Sequence, residues 1–412
     1  VFARVMFTIN IRQDQEPKFN QKELEAKLQE AGETWQERLA RALNEAYIED
    51  EQNSNLKNSK YTNAFPIPYT LRYKASQAVF DIEKIETALS ENRLQLDLYR
   101  INDMENHRMR LKVYNPGAPL NLSDVMPILD YLGLKAISEL PYEIKPDSED
   151  KPVWIHDFLL ETPDQTEVTI EDVKKNFEAG FSRIWNKQME NDKLNKLILH
   201  ANMTWRQVTL LRAYVRYMRQ IRFQLSRPFV EKALNAHPEI SHMIVSLFKA
   251  LHYPRGQETA AKEAAKIKKS IEAALDKVES LDHDRCLRMM TALVEATLRT
   301  NYFQRDEEGE RKTYMSIKFD CQKIPDMPLP RPYREIFVYS PRVEGVHLRG
   351  DKIARGGLRW SDRPDDFRTE VLGLMKAQMV KNSVIVPMGA KGGFVLKRPP
   401  SDREAFKKEG IE

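Results

Sequence analysis

The chain opens on alternation. Val1, Ala3, Val5, Phe7, Ile9 and Ile11 fall at every second position, which gathers them on one face of a half-buried strand. The period then lengthens. Leu24, Leu28, Ala31, Trp35, Leu39, Ala42 and Ala46 recur at helical spacing and predict one amphipathic helix, with Gly32 inside it at about 1 kcal/mol relative to Ala. Ile82, Ile85 and Leu89 predict a shorter helix. Alternation returns in Leu94-Leu96-Leu98 and Met109-Leu111-Val113, two strands, the second stopped by the turn Asn115-Pro116-Gly117. A short helix follows, with Ser123 as its cap and Gly133 as its stop, then strands near 135–144 and 153–160. Elements in this order predict antiparallel sheets with helices on one face, an α+β sandwich.

From residue 166 the helical period dominates. Thr169-x-x-Asp172 and Thr204-x-x-Gln207 read as capping boxes ahead of long apolar stripes: Ile170, Val173, Phe177, Phe181 and Ile184, then Val208, Leu211, Val215 and Met218. Trp35, Trp185 and Trp205 occupy such stripes and read as core. Pro228 and Pro238 punctuate further helices. An Ala/Lys/Glu-rich helix is expected over 257–281, with Asp282 capping its successor. The stretch 163–305 therefore predicts a helical bundle. Strands resume at Met315 to Asp320, Glu335 to Ser340 and Gly345 to Arg349, the first two separated by a proline-rich loop, 325–332, that cannot be helix. A helix over 364–382 is expected to open on Pro364. It leads to a short apolar strand, Val384-Ile385-Val386, and a loop, Gly389 to Gly393.

Composition narrows the class. A length of 412 residues is enough for about three domains with real cores. Two cysteines, Cys286 and Cys321, provide no disulfide framework and suit a reducing compartment. No apolar run approaches the roughly 20 residues of a membrane helix. No signal peptide is read at Val1, where a strand begins at once. A start without Met and an end in Lys407-Lys408-Glu409 suggest a piece of a longer polypeptide. Sixty-five basic residues nearly balance 61 acidic ones, for a net charge of +4, which gives no nucleic-acid signal. Arg206, Arg212, Arg216, Arg219 and Arg222 form a basic row on one helix, expected to be a solvated face or a seam against acidic partners. The eight histidines show no metal-ligand spacing, and His283 with Cys286 is too few for a site. Arg359, Asp362 and Arg363 read as a structural ion-pair cluster.

The chemistry concentrates near the end of the chain. Arg355-Gly356-Gly357-Leu358-Arg359, then Gln378-Met379-Val380-Lys381-Asn382, then Gly389-Ala390-Lys391-Gly392-Gly393 bring cations and glycines together within about forty residues. Arginine recognises carboxylates in a bidentate manner, and a lysine in a poorly hydrated pocket can be lowered enough to move protons. Glycine beside Lys391 lets a ligand approach the backbone. A phosphate-binding P-loop is disfavoured, because Gly392 stands where Ser or Thr is required. No Gly-x-Gly-x-x-Gly follows a strand anywhere.

These motifs resemble, in their order, the substrate half-site of the glutamate dehydrogenases. There a basic residue precedes Gly-Gly-x-Arg, a Gln sits three residues before Lys-Asn, and a strand end leads into Gly-x-Lys-Gly-Gly. Smaller members often carry Lys where this chain has Arg355, and their loop before the catalytic lysine is less tight than Pro387 to Lys391. Both features look like the large NAD-specific class, as do Trp154-Ile155-His156-Asp157-Phe158 and Leu210-Leu211-Arg212-Ala213-Tyr214. The resemblance implies that Lys391 is catalytic, assisting attack of water on an imino intermediate. It implies that Gln378 and Lys381 hold the α-carboxylate, that Arg355 faces the side-chain carboxylate, and that Gly356 and Gly357 line the site. It further implies NAD bound by a C-terminal domain beyond this chain, no metal, a cytoplasmic homo-oligomer, and an isolated fragment that is inactive.

By the same resemblance, residues 1–90 and 91–162 look like two ACT-type, ferredoxin-like α+β modules. Residues 163–305 would be a helical spacer, and 306–412 the start of an α/β dehydrogenase substrate domain. Two other readings stay open: an amino-acid-sensing or oligomerisation module, with a small effector at the ACT-like part, and a dehydrogenase of a branched or aromatic amino acid.

Overall fold

A computed structural model of the protein describes residues 32–147, 149–254, 257–381 and 388–411, with 20, 22, 23 and 25. The expected strand at 1–11 and the apolar strand 384–386 lie outside them. Among the described residues the fold is mixed α/β with two sheets. The chain divides into two units: 1–95 with 113–119 and 140–156, and 96–112 with 120–139 and 157–412.

In the first unit the described part of 1–90 carries four helices and no strand: α1 (Trp35–Ala46), α2 (Glu51–Tyr61), α3 (Ile67–Arg72) and α4 (Ala75–Glu91). The α+β character expected of 1–90 is not seen among these residues. The long helix expected through Trp35 is also interrupted. Thr34 accepts from the Glu37 amide while Glu37 receives the Thr34 amide at 2.7 Å, a capping box that starts a new helix. Ile82, Ile85 and Leu89 fall on α4 as predicted. Leu39, Leu43, Tyr61, Tyr69, Ile82 and Ile85 are fully buried and form one core with Tyr114, Ile144 and Ile155. Asp81 sits inside it, 1% exposed, and accepts from the hydroxyls of Tyr69 and Tyr114, so the buried carboxylate is satisfied.

The predicted strands of 94–161 are present as β1 (Gln95–Tyr99), β2 (Arg108–Pro116), β3 (Lys135–Ile144) and β4 (Val153–Glu161), in the order β1-β2-β4-β3. Between β2 and β3 lies α5 (Leu122–Tyr131), with Asn121 rather than Ser123 at its cap. Gly133 follows its end at φ +86°, a conformation that glycine adopts without strain.

The second unit continues with α6 (Ile170–Trp185), α7 (Lys196–His200), α8 (Trp205–Gln220), α9 (Arg227–Ala236), α10 (Pro238–His252), α11 (Gln257–Leu275) and α12 (Leu281–Ala296). The Thr204–Gln207 capping box forms, whereas Thr169 makes no side-chain cap bond. Pro228 and Pro238 occupy first turns. Ser280, not Asp282, caps α12, because its hydroxyl sits where it can accept from the His283 amide. Trp35, Trp185 and Trp205 are half-buried rather than enclosed.

A six-stranded sheet follows: β5 (Thr297–Thr300), β6 (Met315–Phe319), β7 (Arg334–Tyr339), β8 (Val343–Arg349), β9 (Arg355–Trp360) and β10 (Gly389–Leu396), in the order β5-β6-β7-β8-β10-β9. Neighbours are antiparallel from β5 to β10, and β10 runs parallel to β9. Helix α13 (Phe367–Lys381) joins the parallel pair into a β-α-β unit, and α14 (Arg403–Ile411) ends the described chain. Pro364 precedes α13 instead of opening it. Gly389 to Gly393, expected as a loop, is the first part of a strand inside the sheet, where the bare Gly389 and Gly393 admit a helix at close range.

The basic row on α8 forms a seam at Arg206, Arg212 and Arg216, while Arg219 and Arg222, the latter beyond the helix end, are exposed. Arg212 is fully buried and pairs with Asp192 at 2.7 Å; Arg216 pairs with Glu190 at 2.6 Å, and Arg219 with Asp365 at 2.6 Å.

Candidate functional site

The candidate residues sit on the β9-α13-β10 unit. In its parallel register Gly389 stands beside Arg355, Ala390 beside Gly356, and Lys391 beside Gly357. Successive strand residues alternate faces, so Gly389, Lys391 and Gly393 share one. Helix α13 lies across that face. A Cβ on Gly389 would meet the Gln378 Cβ at 2.9 Å and the Met379 amide nitrogen at 2.9 Å, and one on Gly393 would meet Val371 at 2.3 Å. Glycine at both positions is what lets the helix backbone come this close. Lys391 lies between them, half-buried, with its Nζ 3.5 Å from where a Gly357 Cβ would stand. At Gly356 a side chain would run into the Ala390 carbonyl at 1.4 Å.

Gln378 is half-buried and packs against Gly389, while Arg355 is exposed on the edge strand next to it. Lys391, Gln378, Gly356, Gly357 and the backbone of Arg355 are therefore gathered at one end of the unit. Lys381 is the last residue of α13; its side chain, and residues 382–387 after it, lie outside the described part. Arg359 bonds Glu370 at 2.9 Å and Arg363 pairs with Asp366, so both arginines are ion-paired, but with carboxylates other than the Asp362 expected.

The turn from β9 into α13 also tests a dinucleotide. In a nucleotide-binding β-α-β unit the pyrophosphate sits on a glycine-rich turn at the helix N-terminus. Here the turn is Ser361-Asp362-Arg363-Pro364-Asp365-Asp366, with three carboxylates and no glycine. The residues do not fit NAD. No group of three or more His, Cys, Asp or Glu able to hold a metal occurs among the described residues.

Sequence reasoning missed the buried charges behind the site. Arg368 on α13 is 1% exposed and forms a bidentate pair with Glu335, itself 0% exposed, at 2.7 and 2.8 Å. Glu190 receives Arg216, the Tyr339 hydroxyl at 2.5 Å and Lys397 at 2.9 Å, and Lys397 also reaches Glu344 at 3.1 Å. Burial alone would raise the Glu190 carboxyl, but Lys397, Arg216 and Arg212 outweigh it and hold it at about 2. One signal was available. Glu335 alternates with Phe337 and Tyr339 on the buried face of β7, and a carboxylate on such a face requires a partner.

Known protein families match most of the chain. Residues 270–412 match the bacterial NAD-glutamate dehydrogenase catalytic domain, 189–254 glutamate dehydrogenase helical motif 3, 93–173 its ACT3 domain, and 42–88 its helical motif 2. The NAD-specific glutamate dehydrogenase of Halomonas elongata is 46% identical over all of this chain, which covers 25% of that protein. The one from Pseudomonas aeruginosa is 41% identical, again over the whole chain and 26% of the relative. The one from Mycobacterium tuberculosis is 40% identical over 95% of the chain and 24% of the relative. Along its whole length the chain is similar to the large NAD-specific glutamate dehydrogenases. It spans about a quarter of the length of the curated relatives it matches.

Proposed function

We propose that the protein to which this chain contributes oxidatively deaminates L-glutamate to 2-oxoglutarate and ammonium with NAD, and that the chain supplies the substrate half-site. The observation that carries this reading is the convergence of Lys391, Gln378 and Gly357 on one β-α-β unit. Arg355 faces the side-chain carboxylate as a guanidinium fork, and Gln378 with Lys381 holds the α-carboxylate. Gly356 and Gly357 leave room for the substrate against the backbone. Lys391 positions the water that replaces the amine. NAD is held elsewhere in the whole protein, since the acidic turn before α13 opposes a pyrophosphate.

The same reading assigns 91–162 to an ACT-type, ferredoxin-like module, 163–305 to a helical spacer and 306–412 to the first part of the substrate domain. It assigns the whole protein to the cytoplasm as a homo-oligomer. No helix among the described residues is long and apolar enough to cross a membrane.

Glutamate-dependent NADH production by the full-length protein, with leucine as the control substrate, tests the proposal. Activity with glutamate alone supports it; no turnover in a folded full-length protein removes it. The 412-residue chain alone is expected to neither turn over glutamate nor bind NAD. The match of 93–173 to an ACT domain favours one secondary reading, an amino-acid effector site there. Calorimetry of the chain with a panel of amino acids tests it, and absence of heat would remove it.

A further inference from the structure

A second site is built into the second unit, away from Lys391. A cleft of about 620 Å³ opens between α6, the start of α8, the loop 311–315 and the β7–β8 hairpin. Its volume falls within the range of roughly 300–1,000 Å³ that accommodates small molecules. Its hairpin end, Val343, lies five residues along β8 from the partner of Lys391, or about 17 Å of strand.

The lining is strongly cationic. Arg183, Arg206, Arg311, Arg342 and Arg398 line the cleft together with Lys187 and Lys312, against one carboxylate, Glu409. That carboxylate is already held by Arg342 at 2.8 Å. The other four guanidiniums have only neutral hydrogen-bond acceptors among the described residues. Arg183 donates to the Gln188 side chain at 2.7 Å, and Arg206 to the carbonyls of Tyr302 and Lys312. Arg311 donates to the Phe303 carbonyl at 2.8 Å, and Arg398 to the Lys187 carbonyl at 3.1 Å.

Arg206 is only 8% exposed; burial, together with repulsion from Arg311 and Arg183, lowers its guanidinium below the ordinary value. Elsewhere in this unit the buried Arg212 and Arg368 and the half-buried Arg216 all have carboxylate partners. Here the counter-charge is missing. An aromatic surface completes the cleft: Trp205, with the Arg183 guanidinium 4.8 Å over its ring, and Tyr314, 44% exposed.

We infer that this cleft binds a small polyphosphate anion, either free or as the tail of a nucleotide. Guanidinium forks match phosphoryl oxygens in geometry, and several phosphates match the excess of cations that a dicarboxylate would leave largely uncompensated. Trp205 and Tyr314 offer a nucleotide base a stacking surface, so the two sources differ in how much the ring adds. This site does not depend on the glutamate reading, and it can stand or fall separately.

The test is calorimetric titration of the 412-residue chain at low salt with inorganic tripolyphosphate, ATP and citrate. Both polyphosphates are expected to bind, more tightly than citrate and less tightly as salt rises. The double variant Arg183→Gln/Arg398→Gln is expected to weaken binding by about tenfold or more, and Lys232→Gln on α9 to leave it unchanged. ATP binding tighter than tripolyphosphate would assign the site to a nucleotide; equal binding would assign it to the bare anion. Absence of heat with both, tighter binding of citrate, or equal binding by a folded double variant would overturn the proposal.

Discussion

Lys391 is placed by its neighbours more than by its own contacts. With Gly389 and Gly393 beside it on the same face and Gly357 opposite, the side chain reaches across to the edge strand. Replacing Lys391 by Ala in the full-length protein is expected to lower kcat by a hundredfold or more with little change in KM, on the order of a lost general acid-base group. Steady-state kinetics with glutamate measure it, and equal activity would refute the role. Glu190 gives a prediction that does not involve catalysis. Its folded carboxyl lies at about 2, below the ordinary 4.5. It therefore contributes stability above pH 4.5 that is lost as pH falls through about 2, a window worth roughly 3 kcal/mol. Urea midpoints of the wild type should fall more steeply between pH 5 and 3 than those of Glu190→Gln; parallel slopes would contradict this. Lys391 and Gln378 could be put forward from the sequence because motif order survives in one dimension. The sequence did not show Glu190, whose partner Lys397 stands about two hundred residues away and meets it only after the sheet and the helices have packed.

At the scale of elements, α13 and β10 are the parts whose fit brings the candidate residues together. Two glycines in α13 and β10 make predictions of opposite sign. Gly373 in α13 has nothing within 4 Å of a Cβ, so Gly373→Ala should stabilise by about 1 kcal/mol through helix propensity. Gly389→Ala instead meets the Met379 nitrogen at 2.9 Å and the Met375 carbonyl at 3.0 Å. Backbone cannot step aside, and a cost of about 2 kcal/mol is expected, read as a lower thermal midpoint. Sequence reading located α13 and the strands β6, β7 and β8 to within a few residues. It mistook 389–393 for a loop because glycines there mark a close approach of helix to strand, a tertiary event with the local signature of a turn. Caps followed the same division. Thr204 and Gln207 satisfied each other locally as read, while the start of α12 was decided by where the Ser280 hydroxyl came to rest.

Across the whole molecule, buried ion pairs do much of the joining. Glu335→Ala would strand Arg368 at 1% exposure and is expected to cost about 3–5 kcal/mol. The double replacement Glu335→Met/Arg368→Met should be less damaging than either single loss, as denaturant midpoints of the three variants would show. Sequence reading found mixed α/β architecture and a helical middle. It could not find the division into units, because that depends on which distant segments meet. The chain passes between the two units five times, at 95, 112, 119, 139 and 156. The first unit is therefore incomplete until residues as late as Ile155 have left the ribosome, although its helices are synthesised by residue 91. During translation those helices must wait, with Tyr61, Tyr69 and Ile82 still lacking the strand residues that cover them. A gene cut anywhere between the codons for Glu91 and His156 would yield a nascent chain that chaperones and proteases treat as unfinished.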